Sequence, residues 1–594
     1  MCGLIDKLRN ITEKRNLLTP VIFFIIILGS GFCNIEAFPD YELQSKWYWV
    51  FIITPFLGLP YLFIKTKVKY FVTLVDILLI LLFFYSLFRT MKAELLSTLL
   101  PIAGMFFLVY FFSKQEEKAI FNRFALVVLF ISFILALQGI AQYMGILRQR
   151  LYFVVVGCFD NPAGYASMLS ISTPFILHLT SSSQAKLIRY ISWTTYIVIV
   201  IIIVLLLSRT GILAIGIISG LYLFKRYKTA FINNLTWKKC IALSLIASFI
   251  IGLYFVKKNS ADGRLLIWKC TWEMIKEQPL LGHGYKSFQA KYMLYQAHYF
   301  KQNPQSKYTL LADNVKHPFN EFLYITAEFG FIGLALVLSL VVVLAQLILK
   351  KRNEDSFTFI SILSVVIVFA CFSYPFSYPF TWIVVAFCIS RIAILSQSSS
   401  WYFYYAFGMQ CCTILFSIIL LTITLNDMYY KNRWHKVISR VRSIDTEVLT
   451  EYENLYSVLN KNAFFMYNYA TKLNITADFR KSQQILAICE NQINDYDIQM
   501  LKADNYKKQS DFYSAEKCYE LAFQMCPCRF MPLYELVNIY DSIDCPKQAY
   551  RLACEIVNKP IKIPSPLIMA IKRKMKRKMT KLEKMARSQS TTVE

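Results

Sequence analysis

The sequence predicts an all-α, multi-pass membrane protein of about 12–13 transmembrane helices, followed by a C-terminal α-helical repeat domain. Its 594 residues are 56% hydrophobic and only 17% charged, and the mean hydropathy is +0.44. A soluble globular protein is usually less apolar and more highly charged. Apolar runs of membrane-spanning length recur from about residue 17 to 425, and the composition then becomes polar and helical.

Each apolar run predicts one transmembrane helix, because about 20 apolar residues are needed to cross the hydrocarbon core of a bilayer. No A-x-A-like cleavage site follows the first run, which therefore reads as an uncleaved anchor. The predicted spans are 17–37, 47–64, 70–88, 95–112, 123–143, 163–180, 188–207, 210–225, 239–256, 329–349, 356–374, 377–395 and 401–425.

The distribution of Lys and Arg predicts the orientation of these spans, since cytoplasmic loops are enriched in cations. Basic clusters precede the first span and follow the second, fourth, sixth, eighth and tenth, whereas Arg148 and Arg150 are exceptions. The amino terminus is therefore predicted to be cytoplasmic. Much of the net charge of +27 can come from such membrane-flanking cations, so the charge does not by itself indicate a nucleic-acid partner.

This orientation places a large polar loop, about 257–316, outside the cytoplasm. It places the tail there too, provided that the thirteenth span, which begins with the aromatic run Trp401–Tyr405, is real. A miscount of one span would make the tail cytoplasmic. The expected domains are a transmembrane domain at 1–425, a repeat domain at 427–560 and a basic tail at 561–594.

The tail carries small and aromatic residues at a period of about 34, which is typical of tetratricopeptide (TPR) repeats. Generic helical hairpins are the alternative. The basic run Lys572–Lys578 could lie on an anionic membrane or bind phosphates, or it could be a solvated helix end. The TPR-like positions are Ala503, Tyr506, Ala515, Tyr519, Ala522 and Pro527, and then Val537, Tyr540 and Ala549.

Two arginines near the external side are candidates for binding an anionic substrate. Arg209 lies between two apolar runs, and Arg264 opens an amphipathic helix in the external loop that also carries Trp268. Guanidinium groups suit phosphate oxygens because they combine a permanent charge with a fork of donors. The structural alternatives are an Arg that snorkels to the interface and an Arg paired with a carboxylate such as Asp262.

His317 is the leading candidate for a catalytic base. It stands where the external loop re-enters the membrane, next to Asn320 and Glu321. Polar groups at membrane depth are costly and usually mark a site. A His near neutral pKa can accept a proton from an attacking hydroxyl or orient that hydroxyl, although a lone His is more often structural.

Other polar residues are weaker candidates. Asn161, Trp268 and Tyr285 are possible substrate contacts, and Asn161 could instead be a simple helix N-cap. His283, between two glycines, is expected to serve a turn, and Asp495-Tyr-Asp497 is read as an inter-helix turn rather than a metal-binding motif. The sequence contains no GxxxxGK[ST] or HExxH motif and no CxxC pair, so neither a metal nor a cofactor is predicted.

Taken in order, these motifs resemble the O-antigen ligase family and its relatives, the O-antigen polymerases and bacterial protein O-oligosaccharyltransferases. The similarity covers about residues 120–395. The motifs are Phe159-Asp-Asn161-Pro162, Ser208-Arg209-Thr-Gly211, Arg264-x-x-x-Trp268, Pro279-Leu-Leu-Gly282-x-Gly284-x-x-x-Phe288, His317-x-x-Asn320-x-x-Leu323 and Glu328-x-Gly330-x-x-Gly333. His317 is followed by Pro-Phe, which departs from the family's usual pattern, and the repeat domain lies outside the similarity.

The resemblance implies a glycosyltransferase of the bacterial inner membrane whose active site faces the periplasm. The donor would be a glycan on undecaprenyl diphosphate, and the acceptor a hydroxyl of lipid A-core, of another glycan or of a protein. Arg209 and Arg264 would then hold the diphosphate, His317 would orient or deprotonate the acceptor, and Asn320 would position His317 or a sugar. No metal or nucleotide would be needed.

Three functions compete at this stage. The first is an O-antigen ligase acting in lipopolysaccharide or other cell-envelope polysaccharide biosynthesis. The second is an O-antigen or exopolysaccharide polymerase, or a protein O-oligosaccharyltransferase, for which external repeats would suit protein docking. The third is a non-enzymatic transporter or assembly scaffold whose repeats recruit a protein partner. Internal membrane repeats typical of transporters are not evident in the sequence.

Overall fold

The computed structural model describes residues 18–36, 38, 41–59, 68–90, 98–149, 153–226, 258–351, 355–399, 401–405, 407–439 and 446–591. The chain forms two compact units. Unit 1 comprises the described parts of 1–253, 319–322 and 332–436, and unit 2 those of 254–318, 323–331 and 437–594. The predicted span 239–256 lies outside the described residues.

Unit 1 is a bundle of apolar helices, and a helix lies in each of the other predicted spans. Within the described residues, five helices are long and apolar enough to cross a membrane, and four more are apolar but shorter. The protein is therefore an all-α, multi-pass membrane protein. The helices are α1 (Leu18–Phe32), α2 (Tyr41–Ile53), α3 (Leu74–Phe88), α4 (Leu100–Gln115), α5 (Ala119–Tyr143), α6 (Pro162–Ser182), α7 (Lys186–Leu205), α8 (Arg209–Arg226), α11 (Glu321–Lys350, shared with unit 2), α12 (Ser356–Phe372), α13 (Pro379–Ala393) and α14 (Phe407–Ser439).

Two short strands correct the predicted starts of two spans. Strand β1 (Val68–Val72) pairs antiparallel with β2 (Trp401–Tyr405), with Tyr70 opposite Phe403. The membrane helices therefore begin only at Leu74 and Phe407 rather than at 70 and 401. The physical reason is composition, because aromatic and β-branched residues favour strands when a partner strand is available. The aromatic run at 401–405 is thus part of a ribbon rather than the first turn of a helix.

The direction of three helices identifies the two ends of the bundle. Thr180 and Tyr222 hydroxyls lie 3.1 Å apart near the carboxyl ends of α6 and α8, so these helices are parallel. Lys225 at the end of α8 stands over the ring of Phe357 at the start of α12, at 4.7 Å, so α12 is antiparallel to them. The start of α6, the start of α8 and the end of α12 therefore share one end of the bundle. We call it the Asn161 end, after the residue that precedes α6.

The opposite end carries the β-ribbon and basic residues. Arg391, near the end of α13, donates to the carbonyls of Ser113 and Glu116 at 3.0 and 2.8 Å. Lys114 donates to the carbonyl of Phe71 in β1 at 2.9 Å and forms a buried ion pair with Asp76 at 2.6 Å. Since α13 starts beside Asn161, these contacts lie at its far end.

Helix α14 connects these two ends of unit 1. It follows β2, and its Asp427 accepts a hydrogen bond of 2.5 Å from Tyr48 in α2. The neighbouring Trp47 donates to the carbonyl of Ser377 at 3.0 Å, which lies at the Asn161 end. The last helix of the bundle therefore crosses from the ribbon end to the Asn161 end, as the sequence prediction of a thirteenth span requires.

Unit 2 combines the polar loop before α11 with the polar tail. Consecutive helices of the tail pack against each other as hairpins, and Ala503, Ala515 and Ala549 are fully buried where they meet. The helices of unit 2 are α9 (Lys258–Glu277), α10 (Ser287–Gln302), α15 (Thr446–Leu459), α16 (Ala463–Ile475), α17 (Phe479–Cys489), α18 (Tyr496–Lys508), α19 (Phe512–Met525), α20 (Met531–Ser542), α21 (Pro546–Asn558) and α22 (Pro566–Thr591).

The units do not divide where the sequence predicted. The expected boundary at 425–427 falls inside α14, which runs unbroken from Phe407 to Ser439. The loop at 257–316, expected within the transmembrane domain, belongs to the same unit as the tail. These differences arise because compact units follow tertiary contacts, whereas composition changes only mark where apolar segments end.

The basic tail forms a helix over 566–591, and its first half packs against the repeat domain. Ile571 and Met575 of α22 are buried against the preceding helices. Lys572 donates to the carbonyls of Val557 and Lys559 at 2.9 and 2.5 Å, which caps the end of α21. Such cationic donors at a helix carboxyl terminus stabilise its unpaired carbonyls.

Candidate functional site

Arg209 is the first residue of α8, at the Asn161 end of unit 1. Helix α7 ends at Leu205, and Leu207 adopts a left-handed conformation with φ of 49°. The Ser208 hydroxyl then accepts from the backbone N–H of Gly211 at 3.3 Å and caps α8. The motif Ser208-Arg209-Thr-Gly211 therefore encodes a helix break and restart that leaves Arg209 half-buried at the end of the bundle.

Asn161 is the N-cap of α6, as the structural alternative in the sequence analysis anticipated. Its Oδ1 accepts from the backbone N–H of Gly164 at 2.9 Å. Its Nδ2 lies 2.9 Å from the hydroxyls of both Tyr374 and Tyr378, and 2.6 Å from Oδ2 of Asp160. Tyr378 also donates to Asp160 at 2.8 Å. Asn161 thus joins α6 to the segment between α12 and α13.

Residues 319–322 continue this polar cluster within unit 1. Phe319 has a left-handed φ of 55°, and its ring centroid lies 5.3 Å from that of Tyr374. Glu321 is buried, and its carboxylate accepts from the backbone N–H of Phe376 at 3.4 Å. Asn320 is half-buried between them. The predicted residues Asn161 and Glu321, together with Phe319, therefore contact one segment, residues 374–378.

Sequence reasoning missed Tyr374 and Tyr378. A signal was present, because Tyr-Pro occurs twice in Ser373-Tyr-Pro-Phe-Ser-Tyr-Pro379, where the predicted span 356–374 ends and the span 377–395 begins. Each Pro excludes the preceding residue from helical geometry and so favours an extended or turn segment. Two tyrosines held in such a segment at the membrane boundary are therefore candidate site residues, as the charged residues are.

In unit 2, helix α9 holds the segment that contains His317. The indole Nε1–H of Trp268 donates to the carbonyl of Pro318 at 2.9 Å. Arg264 lies four residues before Trp268 on the same helix, and side chains at this spacing share a face. Arg264 and His317, predicted independently from separate motifs, therefore belong to one local arrangement of helix and loop.

His317 is half-buried, with its ring centroid 6.3 Å from that of Tyr324 in an edge-to-face orientation. Burial away from water, with a smaller contribution from the positive charge of Lys316, lowers the pKa of His317 to about 4. The imidazole is consequently neutral at physiological pH, which is the form that can accept a hydroxyl proton.

Two glycines allow the polar loop to cross α11 at a break in that helix. Gly330 has φ of 66° and ψ of −174° inside α11, and a Cβ there would lie 2.1 Å from the carbonyl oxygen of Leu280. Gly282 has φ of 68°, and its Cβ would lie 2.5 Å from the backbone of Glu328. The two glycine motifs of the sequence therefore meet each other, and only glycine fits either side of the contact.

The crossing satisfies backbone groups that the helix break would otherwise leave unpaired. His283 and Gly284 donate to the carbonyls of Ala327 and Glu328 at 2.9 and 2.8 Å. Phe331 donates in return to the carbonyl of Pro279 at 2.8 Å. An unpaired backbone group away from water is costly, so these three hydrogen bonds fix residues 279–284 on α11.

Neighbouring side chains strengthen the same contact. Tyr285 is half-buried, with its ring centroid 6.2 Å from that of Phe329. His283 bridges Met274 and Lys291, with its Nε2 2.8 Å from the Met274 carbonyl and its Nδ1 3.0 Å from the Lys291 amine. The expected turn role of His283 agrees with these contacts.

Asp495, in the C-terminal tail, is the N-cap of α18 and accepts from the backbone of Asp497 and Ile498 at 3.1 Å, as the inter-helix turn requires.

The structure groups the predicted residues into two sets, each within one unit. Arg264, Trp268, Tyr285 and His317 belong to unit 2, and Arg209, Asn161, Asn320 and Glu321 to unit 1. In the part of the chain that the structure describes, no group of three or more His, Cys, Asp or Glu residues has a metal-binding arrangement.

Comparison with known proteins identifies a domain. Residues 194–338 match the model of the O-antigen ligase family, which confirms the resemblance seen in the motifs. The matched segment runs from α7 through α9 and α10 into α11, and it includes every predicted site residue except Asn161. A search of curated proteins finds no match to this chain.

Proposed function

Because residues 194–338 are of the O-antigen ligase family, we propose that the protein is a membrane glycosyltransferase that moves a glycan from undecaprenyl diphosphate to an acceptor hydroxyl. The family supports a glycosyltransferase of the ligase and polymerase type, acting on a lipid-linked glycan and a glycan acceptor. Within that type we favour the ligase, which joins a finished glycan to a lipid A-core or similar carrier of the cell envelope.

The observation that carries this proposal is the hydrogen bond from Trp268 to the Pro318 carbonyl. It joins Pro318, the residue after His317, to the helix that bears Arg264, which supports the assignment of a neutral base and a permanent cation to one part of unit 2. Glycan transfer from a diphosphate needs both groups. The acceptor must lose a proton as it attacks, and the leaving diphosphate gains negative charge.

In the proposed reaction, the acceptor oxygen forms a bond to the anomeric carbon of the donor while the bond from that carbon to the diphosphate oxygen breaks. His317 accepts the hydroxyl proton. Arg264 and Arg209 bind the diphosphate and stabilise its developing charge. Because a diphosphate is already a good leaving group, a general acid of the kind used in glycoside hydrolysis is not required.

We assign Asn320, Glu321, Asn161 and Tyr285 to glycan binding and to shaping the site. Trp268 has a positioning role toward His317 in addition to any sugar contact. Asn161 acts through the tyrosines it binds, since its amide already contacts Gly164, Tyr374 and Tyr378.

The cellular orientation follows from the same proposal. The basic residues Lys114 and Arg391 lie at the ribbon end of the bundle, and positively charged ends face the cytoplasm. The Asn161 end would then face the periplasm of the inner membrane, where α14 also leads the tail. We further propose TPR-like repeats for the tail, supported by starts of α17, α19 and α21 at Phe479, Phe512 and Pro546, which are 33 and 34 residues apart.

A transfer assay with purified protein tests the proposal. The donor is undecaprenyl-diphosphate glycan, chelator is present, and core lipid, free glycan and peptide are offered in parallel. Product on core lipid supports the ligase, product on free glycan the polymerase and product on peptide the protein transferase. Absence of product with every acceptor, from folded protein and native donor, would favour the transporter or scaffold.

The decisive variant is His317→Ala, with His298→Ala as the matched control. His298 is an exposed histidine on α10 whose contact is with Gln302, one turn away. Loss of a general base typically costs about 10²–10⁴-fold in rate. We expect that loss for His317→Ala and none for His298→Ala, with equal membrane insertion. Full activity of folded His317→Ala would refute the catalytic assignment.

A further inference from the structure

The external loop that ends at His317 is held by the helices of the C-terminal domain. Asp313, four residues before His317, accepts hydrogen bonds from Arg529 at 2.8 Å and Lys562 at 3.2 Å. Both partners belong to segments that join helices of the tail. Residues far apart in sequence thus fix the loop just before the candidate base.

Asn314 is bound still more completely by the start of α18. Its Nδ2 donates to Oδ2 of Asp497 at 3.0 Å and of Asp495 at 3.3 Å, and its Oδ1 accepts from the backbone N–H of Tyr496 at 3.3 Å. The aspartates of the Asp495-Tyr-Asp497 motif therefore have two structural roles. Asp495 caps its own helix, and both carboxylates receive the Asn314 amide.

Arg529 contacts both the loop and the start of α18. Its guanidinium donates to Asp313, lies 3.5 Å from Asp497 and stands over the ring of Tyr496 at 4.2 Å. Partial burial opposes ionisation of Asp313, but the Arg529 hydrogen bond and the charges of Lys562 and Arg529 outweigh it and lower the pKa of that carboxyl. A planar fork that contacts two carboxylates is a role that lysine cannot reproduce.

The attachment extends along the rest of the loop. Gln296 in α10 donates to the carbonyl of Met525 at 2.6 Å, and Asn494 donates from its backbone to Gln289 at 3.3 Å. Cys528 donates to the Ala312 carbonyl at 3.0 Å, and Lys316, next to His317, stands over the ring of Phe464 at 5.0 Å. Helices α16, α18 and α19 and the following turn thus contribute to one continuous contact with the loop.

We infer that the C-terminal repeats serve as a clamp for the chain's own external loop, with Arg529 and Asn314 as positioning residues that hold His317 in register for transfer. The ligand of this face of the repeats is then residues 289–316 rather than a separate protein. The inference rests on the proposed function, since it assumes that His317 acts in the reaction. It extends the catalytic machinery to a domain outside the family match.

The test is a set of variants in the full-length protein, assayed for kcat and for the KM of the lipid-linked donor. Arg529→Ala removes both contacts of the guanidinium, and Arg529→Lys keeps the charge but loses the fork. A misplacement of about 1 Å at a reacting group can cost about 10²-fold in rate. We expect kcat of Arg529→Ala to fall on the order of 10- to 100-fold with KM unchanged, and Arg529→Lys to recover part of it.

Lys502→Ala is the matched control. Lys502 pairs with Glu490 at 2.8 Å inside the repeats, with side-chain exposures of 16% and 21%. Among the residues that the structure describes, neither side chain forms a hydrogen bond or ion pair with the loop. Its loss should leave kcat unchanged. An equal fall of kcat in Lys502→Ala and Arg529→Ala would mean that the pairs only stabilise the repeats, and the inference would be overturned.

A double-mutant cycle provides the second measurement. If Asp313 and Arg529 act as one unit, Asp313→Ala, Arg529→Ala and the double variant should lose kcat to a similar extent, whereas independent effects would multiply. His317→Ala assayed in parallel separates the two claims. Full activity in folded His317→Ala refutes the catalytic role proposed for His317, on which the clamp depends. Inactive His317→Ala together with wild-type kcat in Arg529→Ala refutes only the clamp.

Discussion

Replacing Gly330 by Ala tests the crossing of the polar loop over α11. The residue has φ of 66° and ψ of −174°, a combination that only glycine adopts without strain. The added Cβ would lie 2.1 Å from the Leu280 carbonyl oxygen and 2.6 Å from the Leu281 nitrogen. Both neighbours are backbone atoms, so no side-chain rotation can relieve the overlap.

The expected cost follows from these two effects. The backbone conformation alone costs about 1–3 kcal/mol for a residue other than glycine. Moving Leu280 away would also break the three hydrogen bonds among Pro279, His283, Gly284 and their partners in 327–331, each worth about 1 kcal/mol net. We therefore expect Gly330→Ala to lower the free energy of unfolding by about 4–6 kcal/mol if the loop detaches.

The assay is thermal unfolding of detergent-purified protein at one fixed scan rate, with glycan transfer measured on the same samples. Gly216→Ala in α8 is the control, because no heavy atom lies within 4 Å of its added Cβ. A Gly-to-Ala change in a helix interior is expected to stabilise by about 0.5–1 kcal/mol. If Gly330→Ala unfolded at the wild-type temperature and transferred glycan normally, the crossing described here would be refuted.

Two further predictions concern ionisable groups. Since the pKa of His317 is lowered from 6.5 to about 4, the folded protein favours the neutral form. The stability that the neutral imidazole contributes is complete above pH 6.5 and is lost as the pH falls through about 4. The kcat/KM profile should have its acidic limb near pH 4. A limb near pH 6.5 would contradict the burial of His317. The side chain of Lys114 is 0% exposed, and Lys114→Met leaves the buried Asp76 without this cation. Unfolding experiments should record a free energy of unfolding lower by about 3–5 kcal/mol. The exposed pair of Lys276 with Glu273 is the control, where Lys276→Ala should change stability by less than about 1 kcal/mol.

Part of the site was predictable because its residues violate the apolar pattern around them. Arg209, His317 and Glu321 are polar residues next to membrane segments, and such residues require a reason. The glycines at 282 and 284 also predicted a tight turn at His283. The tyrosines at 374 and 378 escaped notice since tyrosine is common at membrane boundaries and carries no formal charge.

The strand at Trp401–Tyr405 illustrates the limit of local pattern. An aromatic run followed by an apolar run fits an interfacial belt at the start of a helix, and nothing nearby excludes it. Its partner, Val68–Val72, lies more than 300 residues earlier. Strand pairing depends on that distant segment, so the sequence around residue 401 could not decide between the two structures.

The sequence by itself determined the helical membrane architecture, the family of the central segment and the residues most in need of explanation, because hydropathy, helix breaks and misplaced charges are local properties. Only the tertiary structure decided that Gly282 and Gly330 face each other, that Asn161 caps a helix while binding two tyrosines, and that Arg529 holds the loop of His317. Each of these depends on a contact between residues separated by tens to hundreds of positions. Local patterns carry no information about such partners, since many distant residues could satisfy the same hydrogen bond and only the folded chain selects one.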